Sequence, residues 1–456
     1  MPSTPSTAPQ GPRIYNLFPT LVGEVEHWSE QLPEIARMGF DWVFLNPFHM
    51  PGGSGSLYAV KDYYQLHPAL RGGSERSDDE RLQAFTEAAG RAGLGVMMDL
   101  VVNHTASDSD LVSEHPDWYL HDDDGSVHSP SATDLDDPEI VTVWGDLAQL
   151  DYSERPEREA MVHYFADVVR HYVRLGFRGF RCDAAYQLPG TVWRVLIERA
   201  REIAPETAFF AETLGAPPES IEQLRPAGFD FLFNSAKWWD FRANWLLDQY
   251  QAYRDLAPSV AFPESHDTAR LADESDGDSR ESRFWYLFAA VFSTGVMMPI
   301  GYELGFRRAL HVVETRPDQW EEPSFDIRDF VGRVNAMKAE TLVLNEEGAQ
   351  HRFTDVNEPL VGLLQESDQR EQRCVVLINP DPEVAQGFDR GRITDTLGCA
   401  PEALQEITPQ DDDEAPPAQA QAPAPVPKQA QAQARAVDDA VEVPPRSLRI
   451  FINGGP

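Results

Sequence analysis

Short apolar runs alternate with amphipathic stretches from residue 13 to about residue 345. The runs predict strands at Ile14–Phe18, Trp42–Asn46, Gly95–Val102, Gly179–Asp183, Ala208–Glu212, Phe229–Asn234, Val260–Pro263 and Val296–Ile300. Between most of them, apolar residues recur at helical spacing, as in Ser29–Met38, Asp78–Ala92, Thr191–Ile203, Lys237–Tyr250 and Ser282–Phe292. Strand–helix alternation implies a parallel sheet. Eight such strands predict an α/β fold of one kind, a closed (β/α)8 TIM barrel, rather than an open sheet.

The pattern is interrupted after the third strand. From Thr105 to about Arg158 the chain is rich in Asp, Ser, His and Pro and has little periodicity. A stretch this long inside a compact domain is usually functional. It predicts an inserted domain at 105–158, with the barrel at 13–104 and 159–345. Beyond that come short β-like runs, Leu360–Leu364, Cys374–Ile378 and Leu448–Ile452. They predict a C-terminal antiparallel β domain over 346–456. Within it, about 408–440 is dominated by Asp, Pro, Ala and Gln, a composition that cannot bury a core. This segment reads as a disordered loop from which the last strand returns to the sheet. Residues 1–12 read as a disordered lead-in without the apolar core of a secretory signal.

Composition narrows the function. The chain has 456 residues, with 38 Lys+Arg against 75 Asp+Glu and a formal net charge of −37. Only Lys61, Lys237, Lys338 and Lys428 are lysines. Phosphate backbones and anionic membrane surfaces repel such a chain, so neither nucleic acid nor membrane is an expected partner. No apolar window reaches the ~18–20 residues of a membrane span. Many carboxylates with little lysine suit a solvated surface in a salty cytoplasm, where ions screen self-repulsion. Three widely spaced cysteines, Cys182, Cys374 and Cys399, give no disulfide framework and no zinc spacing. They also fit a cytoplasmic location.

In such a barrel, catalytic groups stand at the carboxyl ends of the strands. There the sequence offers Asp99-Leu-Val-Val-Asn103-His104, Phe180-Arg181-Cys182-Asp183, Ala211-Glu212, Phe262-Pro263-Glu264-Ser265-His266-Asp267 and Gly301-Tyr302-Glu303. Arg181 and Asp183 are two apart and share one face of a strand, so the cation favours an ionised Asp183. Glu212 follows Phe209-Phe210-Ala211, and burial there favours its protonated form. One ionised and one protonated carboxyl on neighbouring strands is what a retaining glycosidase requires.

In this order the segments resemble the α-amylase family, glycoside hydrolase family 13, over roughly residues 13–310. Asp99–His104, Phe180–Asp183, Ala211–Glu212 and Phe262–Asp267 are similar to its four signature regions. Gly39–Pro47, Tyr58–Tyr63, Gln149–Tyr152 and Gly295–Glu303 resemble supporting stretches. The resemblance implies a retaining α-glycosidase or transglycosylase acting on α-linked glucosides or α-glucans. Asp183 is then the nucleophile, Glu212 the acid/base and Asp267 the third catalytic carboxylate. His104 and His266 would bind hydroxyls of the reacting sugar, Arg181 would hold Asp183, and Tyr58 would stack on the ring. Asp99 and Asn103 would brace the rim. No cofactor is required. Calcium, which many members hold through the asparagine matching Asn103, is left open. The Lys-His pair that often follows the nucleophile is missing from Ala184-Ala185-Tyr186-Gln187-Leu188-Pro189.

That stretch, with Pro189 then Trp193, and His115-Pro116-Asp117-Trp118 are similar to bacterial maltosyltransferases that use maltose 1-phosphate. Those enzymes typically carry Asn at the position of Ala184 and an extra N-terminal domain before the barrel. An α-1,4-glucan:maltose-1-phosphate maltosyltransferase is therefore the first alternative. A non-catalytic carbohydrate-binding relative is the second, though such proteins commonly lose a catalytic carboxylate. A metal-dependent hydrolase using Asp99, His104, His266 and Asp267 is a third class, but no close His-x-His pair supports a metal site. Of the tryptophans, Trp118 and Trp144 read as sugar platforms, Trp193 and Trp245 as packing, with Trp238 and Trp239 open. Cys182 reads as a small buried barrel residue.

Overall fold

A computed structural model describes residues 11–133, 141–368, 371–410 and 440–453. Most of the expected lead-in and of the low-complexity loop lies outside them. The eight apolar runs form β1 (Arg13–Leu17), β2 (Trp42–Leu45), β3 (Gly95–Leu100), β4 (Gly179–Cys182), β5 (Ala208–Glu212), β6 (Phe231–Phe233), β7 (Ser259–Ala261) and β8 (Gly295–Pro299). All neighbours pair in parallel, and β8 closes onto β1. The main helices that follow them are α1 (Val25–Arg37), α2 (Asp78–Arg91), α3 (Glu157–Arg174), α4 (Gly190–Arg201), α5 (Pro218–Glu222), α6 (Trp245–Tyr253), α7 (Ser279–Phe292) and α8 (Arg328–Glu340). The expected barrel is thus formed, and its helices cover its outer face.

Alternation along the strands decides what points inward. Ile14, Phe44, Met97, Phe210, Phe233, Val260, Phe262 and Met297 form one apolar cluster inside the barrel. Trp42 joins its lower end. A Cβ at Gly95 or Gly179 would come within 2.8 Å of the Trp42 ring, so both strands need glycine there. Two residues further along the same strands stand Asn16, Asn46, Asp99 and Glu212, so the inward face turns polar at the carboxyl rim.

Between β3 and α3, strand His104–Ala106 pairs with Leu147–Gln149, and Ser131–Thr133 pairs with Val141–Val143. The C-terminal region forms a five-stranded antiparallel sheet from β9 (Ala349–Arg352), β10 (Val361–Glu366), β11 (Arg373–Asn379), β12 (Leu404–Glu406) and β13 (Ser447–Asn453). Its order is β9-β10-β11-β13-β12, so the last strand does return, between β11 and β12. Alternation again divides it. Cys374, Val376 and Ile378 join the barrel core, while Val375 and Leu377 pack in a second cluster with Ile393 and Leu397 of helix Arg390–Leu397.

One helical expectation is corrected. Lys237–Tyr250 is not continuous: a single turn at Ala236–Trp238 is followed by irregular chain, and α6 starts only at Trp245. The Asp240 carboxylate accepts from the amides of Arg242 and Ala243 at 3.0 and 3.1 Å, a local bond that competes with helix. Trp239 is buried against Phe241 and Phe288, and Phe241 takes a left-handed φ of 60°. Among the described residues, no helix is long and apolar enough to cross a membrane.

Candidate active site

Residues from β3, β4 and β5 converge at the carboxyl rim. Asp99 is the last inward residue of β3 and is fully buried. Arg181 on β4 reaches it through Nη1, 2.9 and 3.0 Å from its two oxygens. The same Nη1 donates to Asp183 Oδ1 at 2.7 Å, the contact expected of residues two apart on one strand face. Arg181 Nη2 stands 3.9 Å from Glu212 Oε2 on the neighbouring strand. One guanidinium therefore serves three carboxyl groups, in a geometry a lysine could not reproduce.

Glu212 accepts from the amides of Ala184 at 2.8 Å and Leu214 at 3.1 Å. Burial pushes its carboxyl up to about 7; Arg181 and the two amides oppose this, while Asp183 adds to it. Ala184, directly after Asp183, has φ 42° and ψ 45°, a left-handed conformation unusual for alanine. This strained turn aims the amide at Glu212. It couples the chain after one carboxyl to the orientation of the other.

Tyr58 joins the cluster from the loop after β2. Its hydroxyl donates to Asp99 Oδ2 at 2.6 Å, and its oxygen faces Asn46 Nδ2 at 3.2 Å and His266 Nε2 at 2.7 Å. This network assigns the His266 proton to Nε2, which also lies 3.1 Å from Asp267 Oδ2. His266 Nδ1 is then a buried acceptor without a partner among the described residues. The Tyr58 and His266 rings lie parallel, 6° apart with centroids at 5.5 Å. Burial lowers His266 and His104 below the usual imidazole range, and nearby carboxylates oppose the shift, Asp267 at His266 and Asp183 at His104.

His104 Nε2 contacts the Tyr58 carbonyl at 3.2 Å, and its Nδ1 faces Asn103 Nδ2 at 3.4 Å. Both ring nitrogens thus face protein groups, and His104 braces the Tyr58 loop. Asp267 is the open member, its side chain 61% exposed. The structure therefore brings together Asp99, Asn103, His104, Arg181, Asp183, Glu212, Tyr58, His266 and Asp267. The Asn103 amide nitrogen is directed at His104. Among the described residues, no group of three His, Cys, Asp or Glu side chains could hold a metal ion.

Three features escape the sequence reading. Asn46 was within reach of it, two residues past inward Phe44 on β2. The Ala184 turn has no composition signal. Glu264 is fully buried in an ion pair with Arg270 at 2.8 Å, a contact that ties the His266 loop to the Ile300 carbonyl through Arg270 Nη2. Two tryptophans are also reassigned. Trp118 is buried and stacked on His115 with centroids 4.0 Å apart, whereas Trp245 is partly exposed rather than packed away. Trp193 is buried as expected, and its indole donates to the Ala185 carbonyl at 2.9 Å.

Comparison with known proteins bears on the family and the fold. The family described as "Glycogen debranching enzyme, glucanotransferase domain" matches residues 10–138. An α-1,4-glucan:maltose-1-phosphate maltosyltransferase of Burkholderia pseudomallei is 25% identical over 394 residues, covering 84% of this chain and 34% of the relative. The Myxococcus xanthus enzyme of the same name is 25% identical over 418 residues, covering 84% and 60%. The chain thus spans between about a third and three-fifths of the curated relatives' lengths. An α-amylase from Geobacillus thermoleovorans solved with acarbose superposes with a TM-score of 0.71, at 15% identity, over 98% of this chain and 99% of that one. An α-amylase from Lactobacillus plantarum gives 0.65 at 22% identity, over 83% and 90%. Sequence and fold together relate the chain to the α-amylase family, glycoside hydrolase family 13, with a resemblance to its maltosyltransferases.

Proposed function

We propose that this chain is a retaining enzyme that cleaves and transfers α-linked glucosyl units by double displacement. The carrying observation is the pairing of Asp183 with Arg181 at 2.7 Å beside a Glu212 pushed up to about 7. Asp183 is the nucleophile. Its carboxylate attacks the anomeric carbon and forms a β-glycosyl ester while Glu212 gives its proton to the departing oxygen. Glu212 then takes a proton from water or an acceptor hydroxyl, which attacks the same carbon and frees Asp183. Arg181 holds Asp183 in place through the 2.7 Å contact. His266 steadies Tyr58 and Asp267 through Nε2, and exposed Asp267 holds the hydroxyls beside the reacting carbon. Tyr58 flanks the sugar ring. Asp99, Asn103 and His104 brace these groups. A cytoplasmic location fits the three free cysteines.

A second reading takes maltose 1-phosphate as donor and an α-1,4-glucan as acceptor. The maltosyltransferase relatives and His115-Pro116-Asp117-Trp118 favour it. It uses the same two displacements with phosphate as the first leaving group. The test is to incubate the protein with maltose, maltooligosaccharides, sucrose and maltose 1-phosphate, with and without glucan, and to resolve the products and their anomers. Retained configuration is expected. Phosphate release coupled to glucan growth selects the second reading. Inverted products, or no turnover of any α-glucoside, overturn the proposal.

A further inference from the structure

The turn after β4 is held from two sides. It begins at Asp183, whose amide donates to the Leu100 carbonyl of β3 at 3.2 Å. Ala184 follows in the left-handed conformation, and its carbonyl accepts from the Gln187 amide at 2.9 Å. A single helical turn runs over Ala185–Gln187. Trp193 on α4 donates from Nε1 to the Ala185 carbonyl at 2.9 Å. Gln223, directly after α5, donates from Nε2 to the Tyr186 carbonyl at 2.6 Å. Two successive carbonyls of the turn are thus fastened by side chains from two other elements.

A buried tryptophan on a helix usually only fills space. Trp193 does fill space, with its ring tilted on Phe229 at 5.6 Å. Packing alone asks nothing of the indole N–H, however. Here that N–H crosses to a carbonyl eight positions back, outside its own helix. The surroundings are tight. A Cβ at Gly190, the first residue of α4, would come within 2.4 Å of the Gln223 carbonyl, so α4 and the chain after α5 meet closely beside the turn. An alanine at φ 42° is strained, and such a conformation persists only where its surroundings hold it. The two side-chain donors supply that hold.

The consequence falls on Glu212. The Ala184 amide reaches Glu212 Oε2 at 2.8 Å, and the Leu214 amide reaches Oε1 at 3.1 Å. Arg181 Nη2 also faces Oε2, at 3.9 Å. Charge therefore gathers on Oε2, and the acidic proton is favoured on Oε1. If the turn relaxed toward an ordinary φ, the Ala184 amide would leave Oε2. Both the direction of the carboxyl and the oxygen that carries its proton would then be free to change.

We infer that Trp193 and Gln223 are positioning residues for the proton donor: they lock the strained Ala184 turn, whose amide fixes which oxygen of Glu212 gives its proton to the leaving group. This rests on the retaining reading above and adds the device that orients its acid. In the step concerned, the bond from the anomeric carbon to the leaving oxygen breaks, a bond from Asp183 to that carbon forms, and the proton on Glu212 Oε1 passes to the leaving oxygen.

The test compares two donors, an α-glucoside whose alkoxide leaving group needs a proton and α-glucosyl fluoride, whose leaving group does not. Trp193→Phe keeps an aromatic ring against Phe229 and removes the N–H. It should lower kcat/KM for the glucoside roughly tenfold and leave that for the fluoride within about twofold. Its alkaline pH limb should also move above 7, because the Ala184 amide favours the ionised form of Glu212. Gln223→Met, at an exposed position, removes the second donor with little risk to the fold. It should lower the glucoside-to-fluoride ratio about threefold. A purely structural role would lower both donors in proportion and leave the pH limb in place. Proportional losses, or an unchanged ratio, overturn the assignment of the residue concerned, and in both variants the whole inference. Wild-type protein that consumes no glucosyl fluoride overturns the retaining reading, and the inference with it.

Discussion

At Glu212, burial and the Arg181 guanidinium act in opposite directions, and burial prevails. The carboxyl is pushed up to about 7 from an ordinary 4.5. Its acid form therefore persists to near neutrality, and kcat/KM for a neutral glucoside should fall as pH rises through about 7. A pH–rate profile checks this, and Glu212→Gln should abolish turnover of neutral glucosides. The same shift bears on stability. Between 4.5 and 7 the folded chain keeps a proton that the unfolded chain has lost, so this contribution is full below 4.5 and is lost as pH rises to 7. The residue scale was only partly legible in sequence. Arg181 and Asp183 could be paired because a strand repeats every two residues. The bonds from Tyr58 to Asp99 and His266 span 41 and 208 positions, and no local pattern encodes them.

Among the elements, strands were the most readable. All eight barrel runs appear close to their expected places because each is apolar, short and flanked by turn chemistry. The helix expected over 237–250 failed because Asp240 closes a turn and Trp239 and Phe241 are drawn into the core. Lys338 is another case that sequence could not supply. This buried lysine on α8 donates to the carbonyls of Ala290, Ser293 and Leu344 at 2.8, 2.7 and 2.6 Å. It satisfies carbonyls at the end of α7 and fastens the chain entering β8 to the start of the C-terminal region. Burial lowers its ammonium to about 7 from 10.5. Lys338→Met leaves three carbonyls without their donor and should destabilise the fold by about 2–3 kcal/mol, measured by urea unfolding. A loss below about 0.5 kcal/mol would mean that water replaces the ammonium at those carbonyls.

Over the whole molecule, the net charge of −37 has no evident part in recognising a neutral sugar. The buried ion pairs place carboxylates with arginines at the rim, and the acid excess is expected to face solvent. Screening such self-repulsion favours the compact state. The thermal midpoint should therefore hold or rise from low salt to molar potassium chloride, and a fall would contradict the salty-cytoplasm reading without touching the catalytic assignment. The barrel and the returning last strand were legible because periodicity records which face is buried. The way the rim closes around one arginine was not, because it depends on strands brought together from distant parts of the chain. That rim is most directly tested by intact and peptide mass on Glu212→Gln protein given an α-glucosyl fluoride, whose leaving group needs no proton. Accumulation of one glucosyl unit on the peptide containing Asp183, absent from Asp183→Asn protein, is the predicted result. A donor consumed without any adduct at Asp183, or near-full activity in Asp183→Asn, would contradict the account.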